Sequence, residues 1–517
     1  MPEPLIEIDD KRVWRNWHDT HGVGGPVQQF FTPSNEWVDD APIDGGKRFA
    51  AGLAGLCSIV KKAEVAKTRV RALGSGWSLN SVGFVDGFLV NTSRLTAWSI
   101  GLTPKSVAPA CAAIAERVVY AQCGTQISTL NSGLEAKGLA LPTSGASNGQ
   151  TIAGAISTGT HGSAHKVGSL HDRVLALHIV AEGGKHYLVQ PARKPVVTQA
   201  YCNWLGAELR EDDALFDAAL VSFGSFGILH AVIFEASPLY LLRLCVKQLD
   251  YGDIAQAAVS HDISKLALPQ DVGDPYHIEF VLNPYLRGAG QKGAFVRVYY
   301  EQKHENGAAL PVVPLAGATS LRGRDLVGAI AVGSELAPAV IPAVLQGQLK
   351  DLVPEVADGV FIGTPGQCFS DSLRTGGGTS LELGVPLERV GDALAAVFAV
   401  TDAQPFGAPV ALRYVRASQA TLAFTHYAPI TCTIELPGID APHSREAHRL
   451  LENELQKRAL PHTYHWGQVM PLNPQVVRAG FGDTRVDAWL KARRGFLSAA
   501  GRKLFSNDML DALGLAE

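Results

Sequence analysis

Two glycine tracts hold the residues most able to do chemistry in this sequence. One is "VRALGSGWSLN", Val70 to Asn80, and the other is "PTSGASNGQTIAGAISTGTHGSA", Pro142 to Ala164. Successive glycines let backbone N–H groups converge on an anion with no Cβ in the way, which suits a phosphate or pyrophosphate. The first tract is neither the spaced Gly-x-Gly-x-x-Gly of a dinucleotide-binding unit nor a phosphate loop ending in Gly-Lys-Ser/Thr, so neither nicotinamide binding nor ATP hydrolysis follows. Alone it reads as a tight turn. The second tract shifts that balance. It is too regular in glycine for an ordinary loop and too apolar, at Ile152, Ala153, Ala155 and Ile156, for a linker. A backbone that closely lines a ligand is expected there.

The elements that hold these tracts follow from hydrophobic periodicity. "AGLAGLCSIVKKAEVAKT" predicts a helix and "RVRALG" a short strand running into the first tract. "GFLVNTSRL" and "RVVYAQCGTQIS" predict further strands, and "ISTLNSGLEAKGLAL" a helix ending near Gly138. Beyond the second tract, "RVLALHIVAEGGKHYLV" resumes strand and hairpin character, and "ALVSFGSFGILHAVIFEAS" predicts a helix end, a glycine turn and a strand. Composition shifts after about Ser237, where longer strands such as "YHIEFVLN" and "AFVRVYYEQ" begin. Between Gly307 and Pro365 the chain is rich in Ala, Pro and Gly, which predicts a helical insertion or cap.

A chain of 517 residues, 46% hydrophobic and 18% charged, can bury a large core and predicts two domains. A net charge of -4 gives no basic field for nucleic acid, so the expected partner is a small molecule. The seven cysteines are scattered, with no Cys-x-x-Cys, which suggests neither a disulfide framework nor a zinc site; mostly buried thiols and no metal are expected. "MPEPLIEIDDKR" lacks the basic head and apolar core of a secretory signal, so the chain is read as cytoplasmic. The apolar stretch Asp325 to Leu349 is interrupted by Glu335, Pro338 and Pro342, leaving no run of the roughly 18 apolar residues a membrane span needs. A buried or channel-lining helix is expected there instead.

In order and spacing, "VRALGSGWSLN", "TIAGAISTGTHGSA" and "ALVSFGSFGILHAVI" resemble the motifs of the vanillyl-alcohol oxidase / p-cresol methylhydroxylase type FAD-binding flavoproteins, and most closely the sugar-1,4-lactone oxidase and alditol oxidase branch. The resemblance continues through "WRNWHDTH", "APVALRYVRASQATLAF", "YHWGQ" and "AWLKARRGFLSAAGRKLFSNDMLDALG", and so spans nearly the whole chain. It implies an α+β fold. A two-subdomain FAD-binding domain would occupy residues 1–237, and a substrate domain on an antiparallel sheet residues 238–462, with the Ala/Pro-rich insertion at about 307–365. A C-terminal segment, 463–517, would return to the FAD domain. The resemblance also implies that Gly74, Ser75, Gly76, Trp77 and Ser78, beside Leu73, wrap the FAD pyrophosphate. Thr151, Gly154, Thr158, Gly159, Thr160, His161 and Gly162 would run along the isoalloxazine ring and ribityl chain, and Gly227 and Ile228 would pack near the adenine. The implied activity is FAD-dependent removal of a hydride from an oxygen-bearing carbon of an alcohol, hemiacetal or lactone-type substrate. Oxygen or another acceptor would reoxidise the flavin.

Three departures from the family pattern shape the site expected here. Trp77 stands where many relatives carry the histidine that bonds covalently to the flavin, so FAD is expected without a covalent bond. Ala411 occupies the glutamate position of a Glu-x-Arg pair, while Arg413 remains two residues on, on the same strand face. Gln468 replaces the lysine of a His-Trp-x-Lys segment. The implied catalytic residues are Arg413, His465 and Gln468: one cation kept, the carboxylate lost, and therefore a substrate with a less polar body. His161 is expected to be structural or flavin-contacting, and His165, His171 and His277 ordinary. Glu382 is expected on a strand of the substrate domain rather than at the chemistry, with the alternative open that it reaches in to replace the carboxylate missing at Ala411 and restores sugar binding. Two alternatives stay open: a flavin dehydrogenase or epimerase partner that does not use oxygen, and a flavin-retaining binding protein whose catalytic site has decayed.

Overall fold

The computed structural model describes residues 3–10, 12–38, 45–269, 272–273, 275–305, 308–310, 341–370, 377–405 and 407–517. The strand Val70–Leu73, which delivers the first glycine tract, is the edge of a four-stranded sheet ordered Pro4–Asp10, Gln29–Trp37, Phe88–Asn91, Val70–Leu73. Its last three strands are parallel. The helix Gly45–Ala66 covers this sheet because Leu56, Ile59, Val60 and Ala63 recur at helical spacing on one buried face, against Phe31, Val70 and Val90.

A six-stranded sheet follows, ordered Glu208–Glu211, His186–Gln190, Val174–Val180, Ile228–Glu235, Val118–Gln122, Trp98–Ile100. Its central strands are buried on both faces, which is why they read as unbroken apolar runs rather than alternating ones. The second glycine tract lies against it. Its middle, Ile152–Thr158, winds into a short helix whose first turn is capped by the Thr151 hydroxyl and whose end is closed by Gly159 at φ 83°.

The third sheet has eight antiparallel strands: Val356–Gly363, Tyr240–Leu249, Ala294–Lys303, Pro275–Leu282, Val410–Arg416, Ile430–Ile439, Gly378–Pro386 and Thr463–Tyr464. Period-two alternation divides its residues between two faces. Ile278, Phe280, Val296, Val298, Leu412 and Ile434 pack with the helices Tyr251–Ser260, Val390–Ala403 and Pro442–Lys457 in one apolar core. The other face presents charge, because the register sets Glu279 opposite both Arg297 and Arg413, and Glu435 opposite both Ala411 and Glu382.

The C-terminal helices bind the sheets near the first tract. Arg71, fully buried, donates to the carbonyl oxygens of Phe505, Val82 and Phe223, and Asn507 Nδ2 donates to those of Ser81, Val82 and Phe84. Of the Ala/Pro-rich segment, residues 311–340 lie outside the described residues; Ile341–Leu352 is a helix with Ile341, Leu345 and Leu349 buried. Among the described residues no helix is long and apolar enough to cross a membrane. All seven cysteines are free thiols, and six are buried.

Candidate active site

The two glycine tracts touch. A Cβ added at Gly74 would collide with the Thr151 hydroxyl, and the Ser75 hydroxyl donates to the Gly149 carbonyl at 2.6 Å. Gly76 sits at φ 70°, a conformation glycine adopts without strain. The consequence is a row of donors: the backbone N–H groups of Ser75, Gly76, Trp77 and Ser78 make no hydrogen bond among the described residues. All four residues line one cavity with Gly145, Ala146, Ser147, Thr151 and Thr158 of the second tract. The "HWGQ" segment joins them, since Leu79 N–H donates to Gly467 O at 2.7 Å and Asn80 Nδ2 to Trp466 O and Gln468 O at 2.9 and 2.6 Å.

The opposite wall is the charged face of the eight-stranded sheet. Arg413 Nε donates to Glu279 Oε1 at 2.8 Å, and its Nη1 donates to Glu435 Oε2 at 2.6 Å. Arg297 Nη1 donates to Glu279 Oε2 at 2.9 Å. Burial by itself would raise the Glu279 carboxyl, but the two arginines outweigh it and bring it down to about 2; the carboxylates in turn hold Arg413 firmly charged. Gln468 Nε2 donates one hydrogen to Glu435 Oε1 at 3.0 Å and the other to Glu382 Oε2 at 3.1 Å. Flipping that amide would set its oxygen against two carboxylates, so Oε1 is fixed as a buried acceptor with no partner among the described residues.

Three side chains close this end. His161 Nδ1 donates to the Gly162 carbonyl at 2.8 Å, leaving Nε2 to face Glu382 Oε1 at 3.0 Å. Burial pushes the Glu382 carboxyl up, but His161 and His465 in their protonated forms, together with Arg413, outweigh it and bring it down to about 2. His465 Nδ1 accepts from Gly467 N–H at 3.0 Å, so its proton resides on Nε2; burial drives the ring down to about 4, against the pull of Glu382. His161, Glu382 and His465 are the one group among the described residues whose ligand-type atoms gather within 4.8 Å. A shared metal ion does not suit them, because neither nitrogen of His465 offers a lone pair in this tautomer.

A model of the FAD binding domain matches residues 50–189, the stretch that holds both glycine tracts. Cholesterol oxidases share the whole fold. A solvent-stable cholesterol oxidase superposes with a TM-score of 0.67 at 17% identity, over 99% of this chain and 98% of that one. The cholesterol oxidase of Brevibacterium sterolicum gives 0.66 at 14% identity, over 99% of each chain. Residues 50–189 carry an FAD-binding domain. Among curated proteins, a D-arabinono-1,4-lactone oxidase of Saccharomyces cerevisiae is 28% identical over 44% of this chain and 35% of its own length. An L-gulono-1,4-lactone dehydrogenase of Mycobacterium tuberculosis is 25% identical over 45% and 44%. A Neurospora crassa protein called a putative D-arabinono-1,4-lactone oxidase is 32% identical over 36% and 28%. The matches thus span less than half the length of these relatives.

FAD fits the residues present. The unpaired N–H row at Ser75 to Ser78 suits a pyrophosphate, and the cavity runs from there to the charged wall of the sheet. Of the residues expected to meet the flavin, Leu73, Gly74, Ser75, Gly76, Trp77, Ser78, Thr151, Gly154, Thr158, Thr160, His161 and Gly227 line the cavity, as do Arg413, His465 and Gln468. Three do not. Gly159 caps the short helix beside Phe424, Gly162 packs on the Ser144 carbonyl, and Ile228 faces the core around Leu56 and Val60. His165, His171 and His277 are likewise outside the lining.

Three expectations about the chemistry need correcting. The site has not lost its carboxylate: Glu435 stands directly across from Ala411 on the neighbouring strand, and Glu382 lines the cavity rather than lying apart from it. Arg413 is not a lone cation, since carboxylates occupy its Nε and Nη1. Gln468 presents an acceptor to the cavity, its two hydrogens being taken. His465 offers its Nε2–H as a donor, since its Nδ1 accepts from Gly467 N–H. Trp77 stacks face to face on Trp17, with ring centroids 5.6 Å apart, and meets the edge of His18.

Proposed function

We propose that the chain holds FAD without a covalent bond, between the glycine tracts and the charged face of the eight-stranded sheet, and oxidises an alcohol, hemiacetal or lactone-type carbon there. One observation carries this reading: a single cavity joins a row of free backbone donors to a buried cluster of arginine, carboxylate, amide and imidazole. Bound FAD supplies a two-electron acceptor for hydrogen leaving an oxygen-bearing carbon. The chain's own residues do the rest. Ser75 to Ser78 hold the anionic end of the cofactor through their N–H groups. Trp77, braced by Trp17, fills space at the ring with an indole that forms no covalent bond. Cys123, the cysteine in the lining, is pushed up to about 12 by burial and keeps its proton, so it offers no thiolate. His465 Nε2–H is a fixed donor, and Gln468 Oε1 and Glu382 Oε1 are acceptors. A substrate that brings hydroxyl donors therefore suits this wall better than the apolar body expected from Ala411 alone.

The curated relatives are named for oxidation of sugar lactones, which supports an oxygen-bearing carbon as the reacting centre. Oxygen or another acceptor then takes the electrons. The test is anaerobic: the FAD-loaded protein is mixed with sugar lactones, alditols, and aliphatic and aromatic alcohols while flavin absorbance is followed. Bleaching by at least one hydroxyl-rich member is expected. A flavin that no member bleaches overturns the reading.

A further inference from the structure

We propose that Glu382 Oε1 is the atom that takes the substrate's hydroxyl proton, with His161 Nε2 ready to share it; the proposal rests on the oxidation proposed above. Three carboxylates stand in the charged cluster, and their lone pairs are unequally committed. Glu279 gives one oxygen to Arg413 and the other to Arg297, at 2.8 and 2.9 Å, and does not line the cavity. Glu435 receives Arg413 at 2.6 Å on one oxygen, and Ser380 Oγ and Gln468 Nε2, each at 3.0 Å, on the other. Glu382 receives one amide hydrogen on Oε2. Its Oε1 is buried and has no hydrogen-bond partner among the described residues: Arg413 Nη1 stands off at 3.6 Å, and His161 Nε2 lies 3.0 Å away. A buried acceptor left open in this way is free to receive a substrate hydroxyl.

His161 explains why that oxygen is open. Its Nδ1 must donate, because the Gly162 carbonyl 2.8 Å away can only accept. In the neutral ring Nε2 then carries a lone pair, so Nε2 and Oε1 are two acceptors 3.0 Å apart. A proton delivered to Oε1 can close a hydrogen bond between them. His465 cannot compete for it, since its Nδ1 is held by Gly467 N–H and its Nε2 already bears hydrogen.

The step balances. The substrate O–H bond breaks and its proton passes to Glu382 Oε1. The electron pair left on oxygen becomes the second C–O bond. The hydrogen on that carbon leaves with its two electrons to the bound flavin, which is reduced as the carbon is oxidised. The site as a whole changes by no net charge, because the carboxylate is neutralised as the flavin gains an electron pair.

The test uses the full chain. In the flavin-free protein, an infrared difference between wild type and Glu382→Gln, with 13C-labelled glutamate, should show the band of an ionised carboxylate; a protonated-carboxyl band overturns the proposal, since an acid cannot accept. Tryptophan fluorescence during FAD titration is expected to show that both proteins take up the cofactor. With a compound that bleaches the wild type, Glu382→Gln should reduce its flavin roughly a hundredfold more slowly or worse. Glu382→Asp, which keeps the carboxylate, should fall in between and serves if the glutamine variant does not fold. Formate should restore part of the rate in Glu382→Ala and none in His161→Phe, where the acceptor is still present. A Glu382→Gln protein that matches the wild-type rate overturns this proposal alone. A wild type bleached by nothing in the panel overturns the oxidation reading, and this proposal with it.

Discussion

Replacing Arg413 with methionine separates a structural role from a chemical one. The guanidinium is 10% exposed, and its two carboxylate partners are 3% and 9% exposed, so the cluster sits in a low dielectric where an uncompensated charge is costly. Glu279 would keep Arg297, but Glu435 would retain only Ser380 and Gln468, neither of them charged. Breaking a buried pair by removing one partner costs about 3–5 kcal/mol. At roughly 2–4 °C per kcal/mol for a unit of this size, the melting transition of the region around the eight-stranded sheet should fall by about 6–20 °C. Scanning calorimetry on Arg413→Met reads this directly. The double variant Arg413→Met/Glu435→Gln should recover much of the loss, because it removes the charge that was stranded. If Arg413→Met melts within about a degree of the wild type, the ion cluster does not hold the sheet together and the energetic reasoning fails.

Three further outcomes are expected. Acid precipitation should leave a colourless pellet and a yellow supernatant, since Trp77 offers no covalent link; a pellet that keeps its flavin contradicts that. Gly74→Ala should bind FAD at least tenfold more weakly by fluorescence titration, as its methyl group would force Thr151 and the second glycine tract away, and unchanged affinity would refute the contact. Acid stability should fall in a window set by buried histidines. His178 and His230, with Nδ1 atoms 3.1 Å apart, are held low by burial and by neighbouring histidines, His230 at about 3. A depressed histidine contributes stability that is present above its ordinary value of about 6.5 and is lost as the pH falls toward its folded one. Unfolding free energy should therefore decline between about pH 6.5 and 3. The slope should be shallower in His230→Gln; an equal slope would exclude this pair.

Local features were legible in the sequence and pairings between strands were not. Gly74 and Gly76 could be read because a close contact and a left-handed turn each demand glycine where they occur. The pairing of Ala411 with Glu435 could not. It sets a carboxylate on the strand alongside, and register is set by tertiary pairing rather than by either strand's own residues. That Glu382 faces the cavity was not legible for a related reason: a period of two divides a strand into faces without saying which face meets the flavin domain. Gly159 and Gly162 belong to a tract that winds into a helix and turn, so that some of its positions point away from the lumen. The orientation of the Gln468 amide was not legible, because it depends on Glu382 and Glu435, which lie 86 and 33 residues away.

The most direct test of the central claim is an anaerobic stopped-flow trace of the FAD-loaded protein with the best hydroxylated member of the panel, run with ordinary substrate and with substrate deuterated at the carbon to be oxidised. Loss of flavin absorbance is expected, slowed several-fold by the deuterium, because the carbon–hydrogen bond must break as the flavin is reduced. A flavin that stays oxidised with every compound, or one that bleaches at the same rate with and without deuterium, would contradict the assignment of this cavity as the place where an oxygen-bearing carbon gives up its hydrogen.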